Sequence, residues 1–141
     1  MREPIEGALP RAPSTTLRAV PLPVPGRIYS AASRARAFYG GVLGLELIEE
    51  AAAEEVLVYR TGRTRLVVYR SDHAGTNRAN AVVWGVGSDL DAVVAALETN
   101  GAAFEHYPEI GRLEGNVHLA GGARLVWLKD PDGNVLHINS M

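Results

Sequence analysis

Apolar positions along this chain fall into short runs with the two-residue period of a strand, interrupted twice by the longer period of a helix. Leu45-Glu46-Leu47-Ile48, Val56-Leu57-Val58-Tyr59 and Arg65-Leu66-Val67-Val68-Tyr69 read as strands, the last two joined by the tight turn Arg60-Thr61-Gly62-Arg63-Thr64. Ahead of them Ala35, Phe38, Tyr39 and Val42 recur at i, i+3, i+4 and i+7. Ser33 to Leu43 is therefore expected to be helical, capped by Ser30 or Ser33 and closed by Gly44. Gly40-Gly41 inside that pattern points to an early end or a tight packing contact.

The same order returns after the loop Ser71 to Asn77. Ala81 to Val86 reads as a strand and Asp89 to Asn100 as a helix. Ser88 is its expected cap, Asp89 and Asp91 fill the first turn, Leu90, Val93, Val94 and Leu97 form the apolar stripe, and Gly101 stops it. Ala103 to Tyr107 is a further strand, and Val117-His118-Leu119 follows a Gly-containing loop. The chain closes on a hairpin, Leu125-Val126-Trp127-Leu128 and Val135-Leu136-His137-Ile138 around Lys129-Asp130-Pro131-Asp132-Gly133-Asn134. In that turn Pro fixes φ, Asp and Asn bond back to the backbone, and Gly supplies a positive φ.

Strand, helix and strands thus occur twice, at a spacing of roughly sixty residues, which is the pattern of a duplicated βαβββ unit. A second register, laying GRTRLVVYR on GGARLVWLK, matches more letters. The first keeps helix and hairpin in the same order in both halves and is preferred. Each half alone leaves a sheet face uncovered, so the two are expected to share one core. The α+β domain is drawn over 18–139, as modules 18–77 and 78–139. Residues 1–17, rich in Pro, Ser and Thr, read as a flexible tail. Val20 to Gly26, where Pro alternates with apolar residues, can only be an edge strand or an extended lead-in.

Composition narrows the function classes. A length of 141 residues is one domain's worth, and 47% apolar with 21% charged residues is an ordinary globular composition. The net charge of −2 makes no electrostatic case for nucleic acid or an anionic membrane. With no Cys there is no disulfide framework, thiolate nucleophile or Cys-based zinc site. No apolar run approaches the ~18 residues of a membrane span, and no signal-peptide pattern opens the chain, so a cytoplasmic protein is expected. Gly85-Val86-Gly87 is not a dinucleotide loop, because Leu90 stands where the third glycine belongs. No Ser has a recognisable nucleophile context.

Ala35-Arg36-Ala37-Phe38-Tyr39, Val42-Leu43-Gly44-Leu45-Glu46-Leu47 and Asp130-Pro131-Asp132-Gly133-Asn134, on this duplicated pattern, resemble the vicinal oxygen chelate superfamily of glyoxalase I, bleomycin-resistance proteins and extradiol dioxygenases. Tyr69 to Asn77 is similar to a segment of its uncharacterised glyoxalase-like members. The resemblance spans about residues 20–139 and implies two βαβββ modules curled around a cleft. It also implies a small-molecule ligand, a homodimer and, in metal-dependent members, four His or Glu ligands from the first and last strand of each module. Carried over, those positions fall near Val24, on Val67 or Val68, near Ala81 and on His137. Valine and alanine have no lone pair to give, and a catalytic divalent ion wants at least three protein ligands. The other histidines, His73, His106 and His118, form no H-x-x-H or H-E-x-x-H spacing. No metal and no cofactor are expected, with a rearranged metal site as the alternative.

The leading function is a metal-independent small-molecule binder of the glyoxalase/bleomycin-resistance type. A lyase, isomerase or cyclase using His137 and a tyrosine as acid and base is the first alternative, and a metal-dependent glyoxalase- or dioxygenase-like enzyme the second. Whether the protein is an enzyme stays open at this point. His137 is a candidate catalytic group, and its ~6.5 pKa suits either proton role; a satisfied structural histidine is the competing reading. His137, Tyr69, Trp84, Tyr107 and Trp127 are the candidate ligand-binding set, against core packing for each aromatic taken singly. Arg65 and Arg124 are candidate clamps for an acidic ligand if they turn inward.

Overall fold

The computed structural model describes residues 30–51, 53 and 55–141. The tail 1–17, the Pro-alternating stretch and the position near Val24 lie outside the described residues. The first helix starts at α1, Ala31–Ala35, where the Ser30 hydroxyl accepts the Ser33 amide at 3.2 Å. It then widens into a π-helical segment, Arg36–Val42, in which the Leu43 amide reaches back to the Phe38 carbonyl at 2.9 Å. The single α-helix expected over 33–43 is thus corrected. Gly40 and Gly41 are poor helix formers and the wider turn accommodates them. Gly44 ends the segment at φ +68°.

Among the described residues three strands form the first sheet, in the order β1 (Glu46–Ala51), β2 (Val56–Thr61) and β3 (Thr64–Tyr69), all antiparallel. The second sheet is mixed. Its path runs β4 (Asn80–Gly85), β9 (Val135–Asn139), β8 (Ala123–Lys129), β7 (Val117–Ala120) and β6 (Arg112–Glu114), with the short β5 (Phe104–Glu105) also paired to β8. β4 and β9 run parallel, bridged by helix α2 (Leu90–Thr99) and the intervening strands. Among the described residues this is an α+β arrangement of two helices on two sheets. β2–β3 and β8–β9 are both antiparallel hairpins.

Three local expectations in the second module give way to specific contacts. Ser88 does not cap α2; Gly87–Asp89 forms a 3₁₀ turn in which the Asp89 amide bonds the Val86 carbonyl at 3.1 Å. The strand expected over 103–107 stops at Glu105, because the Tyr107 amide leaves the ladder for His118 Nε2 at 2.8 Å and Pro108 has no amide to offer. His106 therefore lies beyond the strand. The expected Gly-containing loop holds β6, reached past Gly111, where a Cβ would stand 2.3 Å from the Leu119 carbonyl oxygen.

One hydrophobic core joins the modules. Ala35, Tyr39 and Leu43 from the first helix meet Leu57 and Tyr59 of β2, and Leu90, Val94 and Leu97 of α2 meet Val126, Leu128, Leu136 and Ile138. Strand side chains alternate between faces, so the other residues of these strands turn away from the helices. Polar ties reinforce the joint. Tyr39 donates to Asp130 at 2.8 Å, Asn100 Nδ2 to the Val42 carbonyl at 3.0 Å, and the Gly75 amide to Asn134 Oδ1 at 2.9 Å. Asp130 also accepts from the Asp132 and Asn134 amides and from Asn134 Nδ2, at 3.0, 2.9 and 2.7 Å. Burial, and then the Asp130 carboxylate, push the Tyr39 hydroxyl well above the usual phenol range. It is a fixed donor here and no base.

Candidate functional site

The face of the second sheet away from the helices carries a row of directly paired residues. Val83 on β4 pairs His137 on β9, His137 pairs Trp127 on β8, and Trp127 pairs Glu105 on β5. Paired residues point to one side, so these four stand together. The His137 imidazole stacks on the Trp127 indole at 4.4 Å between centroids and 26° between planes. Trp127 also meets the edges of His118 at 5.0 Å and Tyr107 at 5.4 Å. Its Nε1 donates to Asn80 Oδ1 at 3.2 Å, which fixes the indole in its plane. Glu105 is held by Lys129 at 3.2 Å.

Hydrogen bonds set the protonation of both buried histidines. The Val126 carbonyl can only accept, so His137 Nδ1, 3.1 Å away, carries the proton. His137 Nε2 is then an acceptor, and it takes Asn139 Nδ2 at 3.2 Å. The amide of Asn139 cannot be turned round, because its oxygen accepts the Met141 amide at 3.1 Å. Burial pulls the His137 pKa below its ordinary value, with the Val126 bond partly opposing. A neutral imidazole with both nitrogens engaged results. His118 is arranged alike, Nε2 accepting the Tyr107 amide while Nδ1 faces the Leu125 carbonyl at 3.3 Å. The exposed His106 donates from Nε2 to Asn116 Oδ1 at 2.9 Å, since the Asn116 amide nitrogen serves Glu98 at 2.8 Å.

The candidate residues separate into three groups. His137, Trp127 and Tyr107 come together on the sheet face. Trp84 does not join them: it belongs to the core beneath the helices, Val83 taking the outward place beside it, whereas Trp127, equally buried at 8% exposure, lies outside that core. Tyr69 stands apart on β3, where it is 65% exposed, with Val67 at 53% on the same face. Val83, 51% exposed, is the outward edge of the row. A hollow of about 340 Å3 lies between β3 and β4, lined by Val67 and Tyr69 and, from the core side, by Tyr39, Leu66, Val68 and Leu136. Sequence reasoning missed Val83, Asn80, Asn139 and Glu105. Arg124 is spent on the Asp91 carboxylate of α2, on the helix side.

Among the described residues no three of His, Cys, Asp and Glu converge on a point that could hold a metal ion. Of the carried-over positions, Val67, Val68 and Ala81 have no donor, and the His137 Nε2 lone pair is directed at Asn139. These residues do not fit a catalytic divalent ion.

No protein-family model matches the chain, and no curated protein does. Solved structures do. An integron cassette protein from the mobile metagenome of Halifax Harbour Sewage Outfall matches at 17% identity and TM-score 0.58, over 80% of this chain and 91% of its own. Lactoylglutathione lyase from Agrobacterium tumefaciens matches at 20% and 0.54, over 83% and 95%. The chain shares the fold of these glyoxalase/bleomycin-resistance structures. TnmS3, an antibiotic binding protein from Streptomyces sp. CB03234, shares it at 23% identity and TM-score 0.54, over 78% of this chain and 86% of that one.

Proposed function

We propose that the outward face of the two sheets binds a flat, largely apolar organic molecule without a metal ion. Val67, Tyr69 and Val83 are exposed apolar residues on β3 and β4, the two strands between which the hollow lies, and the Trp127–His137 stack lies next in line behind Val83. Burying such side chains against a ligand contributes roughly 25 cal/mol per Å2 of apolar surface. The carrying observation is the state of His137. No carboxylate or tyrosine hydroxyl bonds it among the described residues; its partners are the Val126 carbonyl and the Asn139 amide. An acid–base pair needs two titratable groups within reach of one ligand atom, and with both His137 nitrogens engaged by the Val126 carbonyl and the Asn139 amide the binding reading is favoured over a lyase, isomerase or cyclase.

The fold accommodates both kinds of protein, since one neighbour is described as an antibiotic binding protein and another as a lactoylglutathione lyase. Binding is favoured for this chain by its own residues. A homodimer and a cytoplasmic setting complete the proposal; light scattering and fractionation test them. No helix among the described residues is long and apolar enough to cross a membrane. The direct test uses Trp84→Phe, which leaves Trp127 as the reporting indole, titrated with a panel of planar aromatic compounds. A saturable change in Trp127 emission that Val83→Asp abolishes supports the site. No response to any compound, or a response indifferent to Val83→Asp, refutes it.

A further inference from the structure

The first sheet carries two directly opposed guanidinium groups beside its exposed apolar residues. In the β2–β3 register Arg60 lies opposite Arg65, Val58 opposite Val67 and Val56 opposite Tyr69, so these six share the outward face. Arg60 bonds Glu46 at 3.0 Å, while Arg65 has no hydrogen bond or ion pair among the described residues. In that row, at the end of the hairpin, two guanidinium groups meet one carboxylate; Glu49, opposite Val58, is a second carboxylate on the face, one row further along. Like charges on directly opposed positions destabilise a strand pair, and an anion placed there relieves them. Arg34, Arg36, Arg70, Arg112, Arg124 and Lys129 each have a carboxylate partner, and Arg78, in the loop before β4, is like Arg65 in having no ion pair among the described residues.

The apolar part of the face begins next to that charge. Successive same-face residues on a strand are about 7 Å apart, which puts Val67 one step from Arg65 and Tyr69 about 13 Å from it. A charge at one end and an exposed valine and tyrosine beyond it match an amphipathic acid in length and polarity. We infer that the ligand is an organic anion, its carboxylate held by Arg65 and its flat apolar body laid along Val67 and Tyr69. This inference rests on the reading of the face as a small-molecule site, and it adds the chemical class.

The test compares 2-naphthoate with its neutral counterpart 2-naphthamide by calorimetric titration of the full chain at low salt. Naphthoate is expected to bind at least about threefold more tightly, the scale of a solvent-exposed ion pair. That preference should vanish in Arg65→Met, return in Arg65→Lys, and shrink at about 0.5 M salt. Equal affinity for the two probes overturns the anion assignment and leaves the small-molecule site standing. A preference that survives in Arg65→Met overturns the role of Arg65. Binding of neither probe overturns the inference together with the reading beneath it.

Discussion

Tyr39→Phe removes one oxygen from the joint that fixes the β8–β9 hairpin, and with it His137 and Trp127, against the first helix. The ring keeps its edge contact with Phe38 at 5.1 Å and its packing on Tyr59 at 5.8 Å, so little apolar burial is lost. What is lost is a 2.8 Å hydrogen bond to a buried carboxylate. Hydrogen bonds to charged groups contribute about 1.5–3 kcal/mol. Asp130 retains its three bonds within the turn, so the lower part of that range applies and about 2 kcal/mol is expected. For a chain of this size that corresponds to a fall in melting temperature of about 5–8 °C. Urea unfolding followed by circular dichroism measures the free energy directly. In a cycle with Asp130→Ala the coupling should be about 1.5 kcal/mol, because both changes delete the same bond. A shift under about 1 °C with no coupling would mean that the hydroxyl is satisfied equally well by water, refuting the joint as a source of stability.

Other outcomes follow from contacts around the same hairpin. Gly75→Ala places a Cβ 1.8 Å from the Asp132 carbonyl oxygen at φ +71°, and should cost about 3 kcal/mol in the same unfolding assay. His137 has a folded pKa below its unfolded value, so its contribution to stability is complete above about 6.5. That contribution falls as pH drops through the unfolded value toward the lowered folded one. His137→Gln should flatten the pH dependence of melting temperature in that window. Trp84→Ala empties a core position and should destabilise by about 3–5 kcal/mol, whereas Val83→Asp at an exposed position should stay within about 0.5 kcal/mol while blocking ligand.

Much of this architecture is readable from spacing. The turn at 130–134 announces the last hairpin, and the repeated order of helix and strands announces two modules around one core. The faces of the strands are harder. Val82-Val83-Trp84 and Val126-Trp127-Leu128 are apolar on both sides, so the alternation that separates core from outward residues is erased. Nothing local distinguishes Trp84, which packs under the helices, from Trp127, which is buried on the opposite sheet face against His137; the difference comes from the pairing of β4, β9 and β8. The lock on His137 is equally invisible, because it needs the Val126 carbonyl across the hairpin and the backbone amide of Met141 to orient Asn139. His137 itself could be found, since it lies in the strand that the turn introduces. Its neutral, bonded state could not.

The most direct test of a metal-independent site is metal analysis of the full chain, purified without chelator or metal-capturing tag, together with melting curves across divalent ions. Well under one ion per chain and no rise in melting temperature are expected, since only binding to the folded state raises it. One ion per chain, with a rise that disappears in His137→Gln, would contradict a metal-independent site and make His137 a metal ligand.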